Sequence, residues 1–175
     1  MATTNWIIDP AHSEIHFKVK HLVITTVTGS FREFSGKVVA DEDFSNATIE
    51  FEATTGSINT NNEQRDSHLK SADFFESEKF PKLTFVSSRL TKKNDDEFEL
   101  EGNLTIKDVT KTVTLNVEYS GTAKDPWGNI KAGFEVKGKL NRKDFGLTWN
   151  ALTEAGGAVV SDEVKLLANI QLVKQ

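Results

Sequence analysis

The chain has 175 residues and a mass of 19.5 kDa, which fits one domain of ordinary size. The formal net charge is −5 and the basic residues are scattered, which argues against nucleic acid as a partner. The absence of cysteine excludes disulfides, thiolate metal sites and a cysteine nucleophile. No apolar run approaches the ~18 residues of a membrane helix, so the sequence predicts a soluble globular protein without a transmembrane segment.

The first residues, Met1 to Trp6, carry neither the basic segment nor the apolar segment of a secretory signal. This predicts a cytoplasmic protein, or a periplasmic one if a signal has been removed from the sequence.

Apolar and polar residues alternate with a period of two through most of the chain, which is typical of strands with one buried face. The predicted strands cover residues 13–21, 29–41, 47–54, 83–87, 97–106, 113–119, 132–140 and 164–172. Polar turns separate several of them. Eight sequential strands predict an all-β, antiparallel fold, either a sandwich or an up-and-down barrel. We favour the eight-stranded β-barrel, because it leaves no open sheet edge.

One segment interrupts the alternation. Residues 60 to about 72 are rich in helix formers, which predicts a short helix after the third strand.

The four histidines raise the question of a metal site. His12 and His16 would lie about 13 Å apart on one strand, too far to share an ion. A pair formed by His21 and His68 stays geometrically open, but ordinary polar histidines explain the pattern better, and we predict no metal. The Arg65 to His68 segment has no Gly-x-Ser-x-Gly nucleophile motif, which argues against a hydrolase.

Twelve of the aromatic residues are Phe, against three Trp and one Tyr. In an eight-stranded barrel these rings either fill a packed core or line an apolar cavity, and composition does not separate the two.

Several segments resemble one known family. Residues 8–21, IDPAHSEIHFKVKH, and 27–36, VTGSFREFSG, are similar to the opening of the bacterial YceI-like polyisoprenoid-binding proteins. The similarity continues in order and spacing through RDSHLKSADFF at 65–75, FPKLTF at 80–85, GNLTIK at 102–107, NRKDFG at 141–146 and VSDEV at 160–164.

The resemblance implies a single lipocalin-like barrel domain over residues 1–175 that binds a lipid and performs no chemistry on it. The implied ligand is an amphiphile with a long apolar tail: an isoprenoid quinone, a polyprenyl phosphate or a fatty-acid amide, held for transport or storage. No enzymatic activity and no cofactor beyond the lipid are expected, and a homodimer is predicted.

The candidate site residues follow from this interpretation. His21, Arg65 and His68 are predicted to meet the head group, and the tail is predicted to contact Phe17, Val19, Phe31, Ile49, Phe51, Phe74, Phe75, Phe85, Phe134, Phe145 and Trp149. Two alternatives stay open. The protein could be an enzyme that uses His21 or His68 as acid–base on an isoprenoid or quinone lipid, or a ligand-free, packed barrel that serves in a stress response or as an interaction module.

Overall fold

The computed structural model describes residues 3–21, 24–41, 44–147 and 160–175, without the side chain of residue 21. Within these ranges the chain forms one antiparallel sheet of eleven strands and one α-helix. The elements are β1 Thr4–Ile8, β2 Glu14–His21, β3 Thr25–Phe31, β4 Phe34–Ala40, β5 Thr48–Thr54, β6 Ile58–Asn59, α1 Glu63–Lys70, β7 Lys82–Lys92, β8 Glu97–Ile106, β9 Val109–Lys124, β10 Ile130–Asn141 and β11 Val160–Lys174.

Three pairs of short strands each continue one another in line. Strand β1 pairs with β11 at residues 172–174, and β2 pairs with the same strand at residues 160–169. In the same way, β4 pairs with β5, and β3 pairs with β6. Counted as continuous ribbons, β1–β2, β3–β4 and β5–β6 join the five long strands in a closed eight-stranded barrel. The predicted up-and-down barrel is therefore confirmed, with α1 after the third ribbon.

The first ribbon breaks at a 3₁₀ turn over Pro10–His12. Proline has no backbone N–H and cannot continue the ladder there. Ser13 bridges the gap, because its buried hydroxyl accepts a hydrogen bond from Gln171 N at 2.9 Å, and Asp9 N donates to Gln171 O at 2.8 Å. The backbone of β11 thus stays satisfied across the break.

Some predicted boundaries were wrong. Strand β1 was missed, because its five residues are too short to show a period, and His12 lies in the 3₁₀ turn and not on a strand. The strand predicted over 29–41 begins earlier and is broken at 32–33. The helix is shorter than predicted: it begins after Asn62, whose side chain accepts a hydrogen bond from Arg65 N at 3.0 Å and fixes its N-terminus.

A cluster of charges on the outside of the barrel ties the end of β1 to the β9–β10 hairpin. The carboxylate of Asp9 lies 2.8 Å from His12 Nδ1 and 2.9 Å from Lys131 Nζ, and Lys131 is 3.9 Å from Asp125. These hydrogen bonds lower the pKa of Asp9 from 3.8 to about 2. The hydrogen bond from His12 has the largest effect, and that from Lys131 the second largest.

We expect Asp9→Asn to lower the free energy of unfolding by about 1–2 kcal/mol at neutral pH. Because the pKa of Asp9 is lower in the folded protein, its ionised form stabilises the fold above the ordinary pKa of 3.8, and this stabilisation is lost as the pH falls towards about 2. Urea unfolding of both proteins across this range checks the prediction. A difference that stays constant down to the acid limit would contradict it.

Candidate functional site

The barrel is hollow. Its interior contains a cavity of about 640 Å³ lined by apolar side chains from nearly every strand. This volume lies in the range of ~300–1,000 Å³ that small-molecule sites occupy. The question that composition left open, a packed core or an apolar cavity, is therefore answered in favour of the cavity.

The alternation of the strands builds this lining. On β11, Val164, Leu166 and Ala168 line the cavity. Lys165 and Asn169, which alternate with them along the strand, are exposed on the outer face. Successive side chains of a strand point to opposite faces, so each long strand presents one apolar row to the interior.

Two glycines shape the wall. A Cβ atom on Gly29 would lie 2.2 Å from Phe17 Cζ, and one on Gly102 would lie 2.4 Å from Phe85 Cζ. Each ring therefore lies against the bare backbone of a neighbouring strand. This arrangement keeps the rings close to the wall and leaves the centre of the barrel open.

Helix α1 lies at one end of the cavity. It has no buried residue, yet Gln64, Arg65 and His68 on it line the cavity. The helix is held by its side chains: Arg65 donates from Nε to Thr60 Oγ1 and from Nη2 to Thr60 O, both at 2.8 Å. Asp66 accepts hydrogen bonds from the backbone N and the hydroxyl of Thr60 at 2.8 and 2.6 Å. We call this end, formed by α1 and the segment 71–75 that follows it, the mouth.

At the mouth, His68 is held by a carboxylate and a ring. Its Nε2 lies 2.8 Å from Asp73 Oδ2, and its ring contacts Phe74 edge-on with centroids 5.2 Å apart. Aromatic contacts then lead inward, because Phe75 packs on Phe31 and Phe31 on Phe17, each pair with centroids 5.8 Å apart.

Sequence reasoning missed a buried arginine in the cavity wall. Arg142 is 4% exposed and lines the cavity. It donates to Leu147 O at 2.6 Å, Ser161 O at 2.9 Å and Val160 O at 3.3 Å. Burial lowers its pKa below the ordinary value, and the charge of Asp162 opposes this shift. The sequence does show that this arginine stands at the end of an alternating strand. That position does not distinguish a buried arginine from an exposed one.

The structure places most of the predicted tail residues together. The cavity is lined by Phe17, Val19, Phe31, Ile49, Phe51, Phe74, Phe75, Phe85, Phe134 and Phe145. Arg65 and His68 lie at the mouth, as described above. Trp149 and the side chain of His21 lie outside the described residues.

The described part of the chain lacks two features. None of its helices is long and apolar enough to cross a membrane. Within the same ranges, no group of three or more His, Asp or Glu residues is arranged to hold a metal ion.

Comparison with known proteins decides the family. A model of the YceI-like domain matches residues 6–172. The chain belongs to the YceI-like family. The UPF0312 protein SAS2572 of Staphylococcus aureus is 40% identical over 170 residues, which cover 96% of each chain.

Solved structures of YceI-like proteins share the fold. A YceI protein of Campylobacter jejuni is 32% identical, with a TM-score of 0.76 over 90% of this chain and 91% of that one. A polyisoprenoid binding domain from Saccharophagus degradans, implicated in plant cell wall breakdown, has a TM-score of 0.68 at 16% identity and covers 97% and 98% of the two chains. At that identity the likeness shows the fold alone.

Proposed function

We propose that this YceI-like protein binds an amphiphilic lipid with a long apolar tail, a polyisoprenoid such as a quinone or polyprenyl phosphate or else a fatty-acid amide, and carries or stores it unchanged. The observation that carries this proposal is the apolar cavity of about 640 Å³ inside a closed barrel. The name of the Saccharophagus degradans domain supports the isoprenoid class.

Burial of the tail supplies the binding energy. Each methylene group removed from water contributes ~0.8 kcal/mol, so about ten groups contribute ~8 kcal/mol before association costs. A useful affinity therefore needs no strong polar contact.

The head group is proposed to lie at the mouth, against Arg65 and His68. Among the described residues, Arg65 donates two of its five N–H groups, both to Thr60, so three donors stay available for an acceptor such as a phosphate. His68 is oriented by Asp73. His21 belongs to the same proposal by its place at the end of β2, where its backbone pairs with Val160.

A binding role without catalysis is proposed because the described cavity lining holds no hydroxyl nucleophile. Among the described lining residues none is Ser, Thr or Tyr, and most are apolar. The polar members of the lining are His16, Lys20, Lys37, Glu50, Asn62, Gln64, Arg65, His68 and Arg142. His68 with Asp73 is an acid–base pair at the mouth, so recovery of the lipid after long incubation separates the two roles. A carrier returns it chemically unchanged, whereas an altered lipid would support the enzymatic alternative.

We expect Arg65→Gln to weaken the binding of a polyprenyl phosphate about tenfold and that of a neutral quinone by less than about twofold, because only the phosphate loses a charge-assisted hydrogen bond. Titration of both lipids into each protein checks this prediction. Lys70→Gln is the matched control, since it removes one positive charge from the same helix at a residue that does not line the cavity.

Equal weakening of the binding of both lipids by Arg65→Gln would contradict the head-group role. It would show that Arg65 acts only on the structure, through its hydrogen bonds to Thr60.

A homodimer stays a prediction, and light scattering after size-exclusion chromatography tests it.

A further inference from the structure

Four aromatic rings cluster at the end of the cavity opposite the mouth. These are Trp6 on β1, Phe44 in the β4–β5 turn, Tyr119 on β9 and Phe134 on β10, and we call them the aromatic floor. The ribbon β5–β6 begins beside Phe44 and leads to α1, so the aromatic floor and the mouth lie at opposite ends of the barrel.

Phe44 is the centre of the aromatic floor. Its ring centroid lies 5.1 Å from that of Phe134, 5.4 Å from Trp6 and 5.6 Å from Tyr119. Phe44 and Phe134 belong to the cavity lining, and Trp6 supports Phe44 from outside that lining. The indole N–H of Trp6 is buried and has no hydrogen-bond partner among the described residues, so this ring acts by packing and shape.

The backbone holds Phe44 in an unfavourable conformation. Its φ is +62°, which is a marked outlier for a bulky side chain. Hydrogen bonds of the turn maintain it: Phe44 N donates to Asp41 O at 2.9 Å, and Asp41 N donates to Ser45 O at 3.1 Å. The Asp41 carboxylate also accepts from Asn46 Nδ2 at 2.9 Å. Strain that the surrounding structure maintains in this way is a pointer to function.

We propose that Phe44 sets the maximum length of the lipid tail. This inference rests on the proposed lipid binding. A tail that enters at the mouth runs along the strands and ends at the Phe44 ring, so short isoprenoid chains fit and longer ones leave part of the chain in water. Removal of the ring extends the cavity into the space between Trp6, Tyr119 and Phe134.

The test compares three isoprenoid alcohols with the same head group, farnesol, geranylgeraniol and solanesol, in competition for one protein sample. Phe44→Gly removes the ring and suits the positive φ. It is expected to raise the binding of solanesol relative to farnesol by about tenfold, the change produced by two additional buried methylene groups. Trp127→Ala is the matched control, because it removes an exposed aromatic ring from the β9–β10 turn, outside the cavity lining, and should leave the ratio unchanged.

The outcomes separate the two proposals. If the wild-type protein binds none of the alcohols, binding of an isoprenoid tail itself is wrong. If it binds farnesol and solanesol equally, or if Phe44→Gly leaves their ratio unchanged or Trp127→Ala changes it as much, the role of Phe44 is wrong while lipid binding stands. Should Phe44→Gly fail to fold, Phe44→Leu decides, with a smaller rise expected and an unchanged ratio contradicting the inference.

Discussion

Ala168→Trp is expected to weaken lipid binding by about 100-fold or more while the barrel still folds. Ala168 lies midway along β11, paired with Ile15 and Val136, and its side chain lines the cavity. An indole ring there would occupy space that the tail needs. Displacement of about four methylene groups at ~0.8 kcal/mol each accounts for the loss.

The control for this substitution lies on the same strand. Lys165 is exposed on the outer face, so Lys165→Trp adds the same ring to β11 without entering the cavity. We expect its affinity for a quinone to match that of the wild-type protein. Circular dichroism verifies that both variants fold. Unchanged binding by a folded Ala168→Trp variant would show that the tail does not lie in the cavity.

Arg142→Met is expected to lower the free energy of unfolding by about 3 kcal/mol. The methionine keeps part of the apolar stem, but the carbonyl groups of Leu147, Val160 and Ser161 lose their donor inside the protein. An unsatisfied buried acceptor costs about 1–3 kcal/mol, and the carbonyl group of Leu147 is in a buried hydrogen bond. These acceptors are backbone carbonyl groups, so they stay in place when the charged arginine side chain is replaced.

Urea unfolding measures this effect, and the neighbouring residue provides the control. Lys143 is half exposed and lies 3.3 Å from Asp162, so Lys143→Met removes the adjacent positive charge from a surface ion pair. Such a pair contributes about 0–1 kcal/mol. A loss for Arg142→Met no larger than that for Lys143→Met would contradict the structural role given to Arg142.

Much of the fold could be predicted because each long strand carries its own alternating pattern. The rows that begin at Ile15 and Val164 point into the barrel as their parity indicates, and closure follows from the need to remove sheet edges. The breaks within the ribbons escaped prediction, because they depend on partners distant in sequence. The hydroxyl of Ser13, for example, substitutes for a strand partner of Gln171.

The candidate site could be predicted in part. Phenylalanines on the inward faces fall in the cavity wall by parity alone, but parity does not say whether a barrel is hollow. That outcome depends on contacts such as the ring of Phe85 against Gly102, which hold rings at the wall. Phe44 lies in a turn, where periodicity gives no signal, and the burial of Arg142 depends on carbonyl groups that the fold brings to it.

Native mass spectrometry of the purified protein, followed by organic extraction of what it releases, tests the central claim most directly. We expect a species heavier than 19.5 kDa by one lipid, and an extract that contains an isoprenoid or acyl chain in stoichiometric amount. The same species should form when lipid-free protein is incubated with quinone or polyprenyl lipids. A mass that stays at that of the bare chain after such incubation would contradict lipid binding.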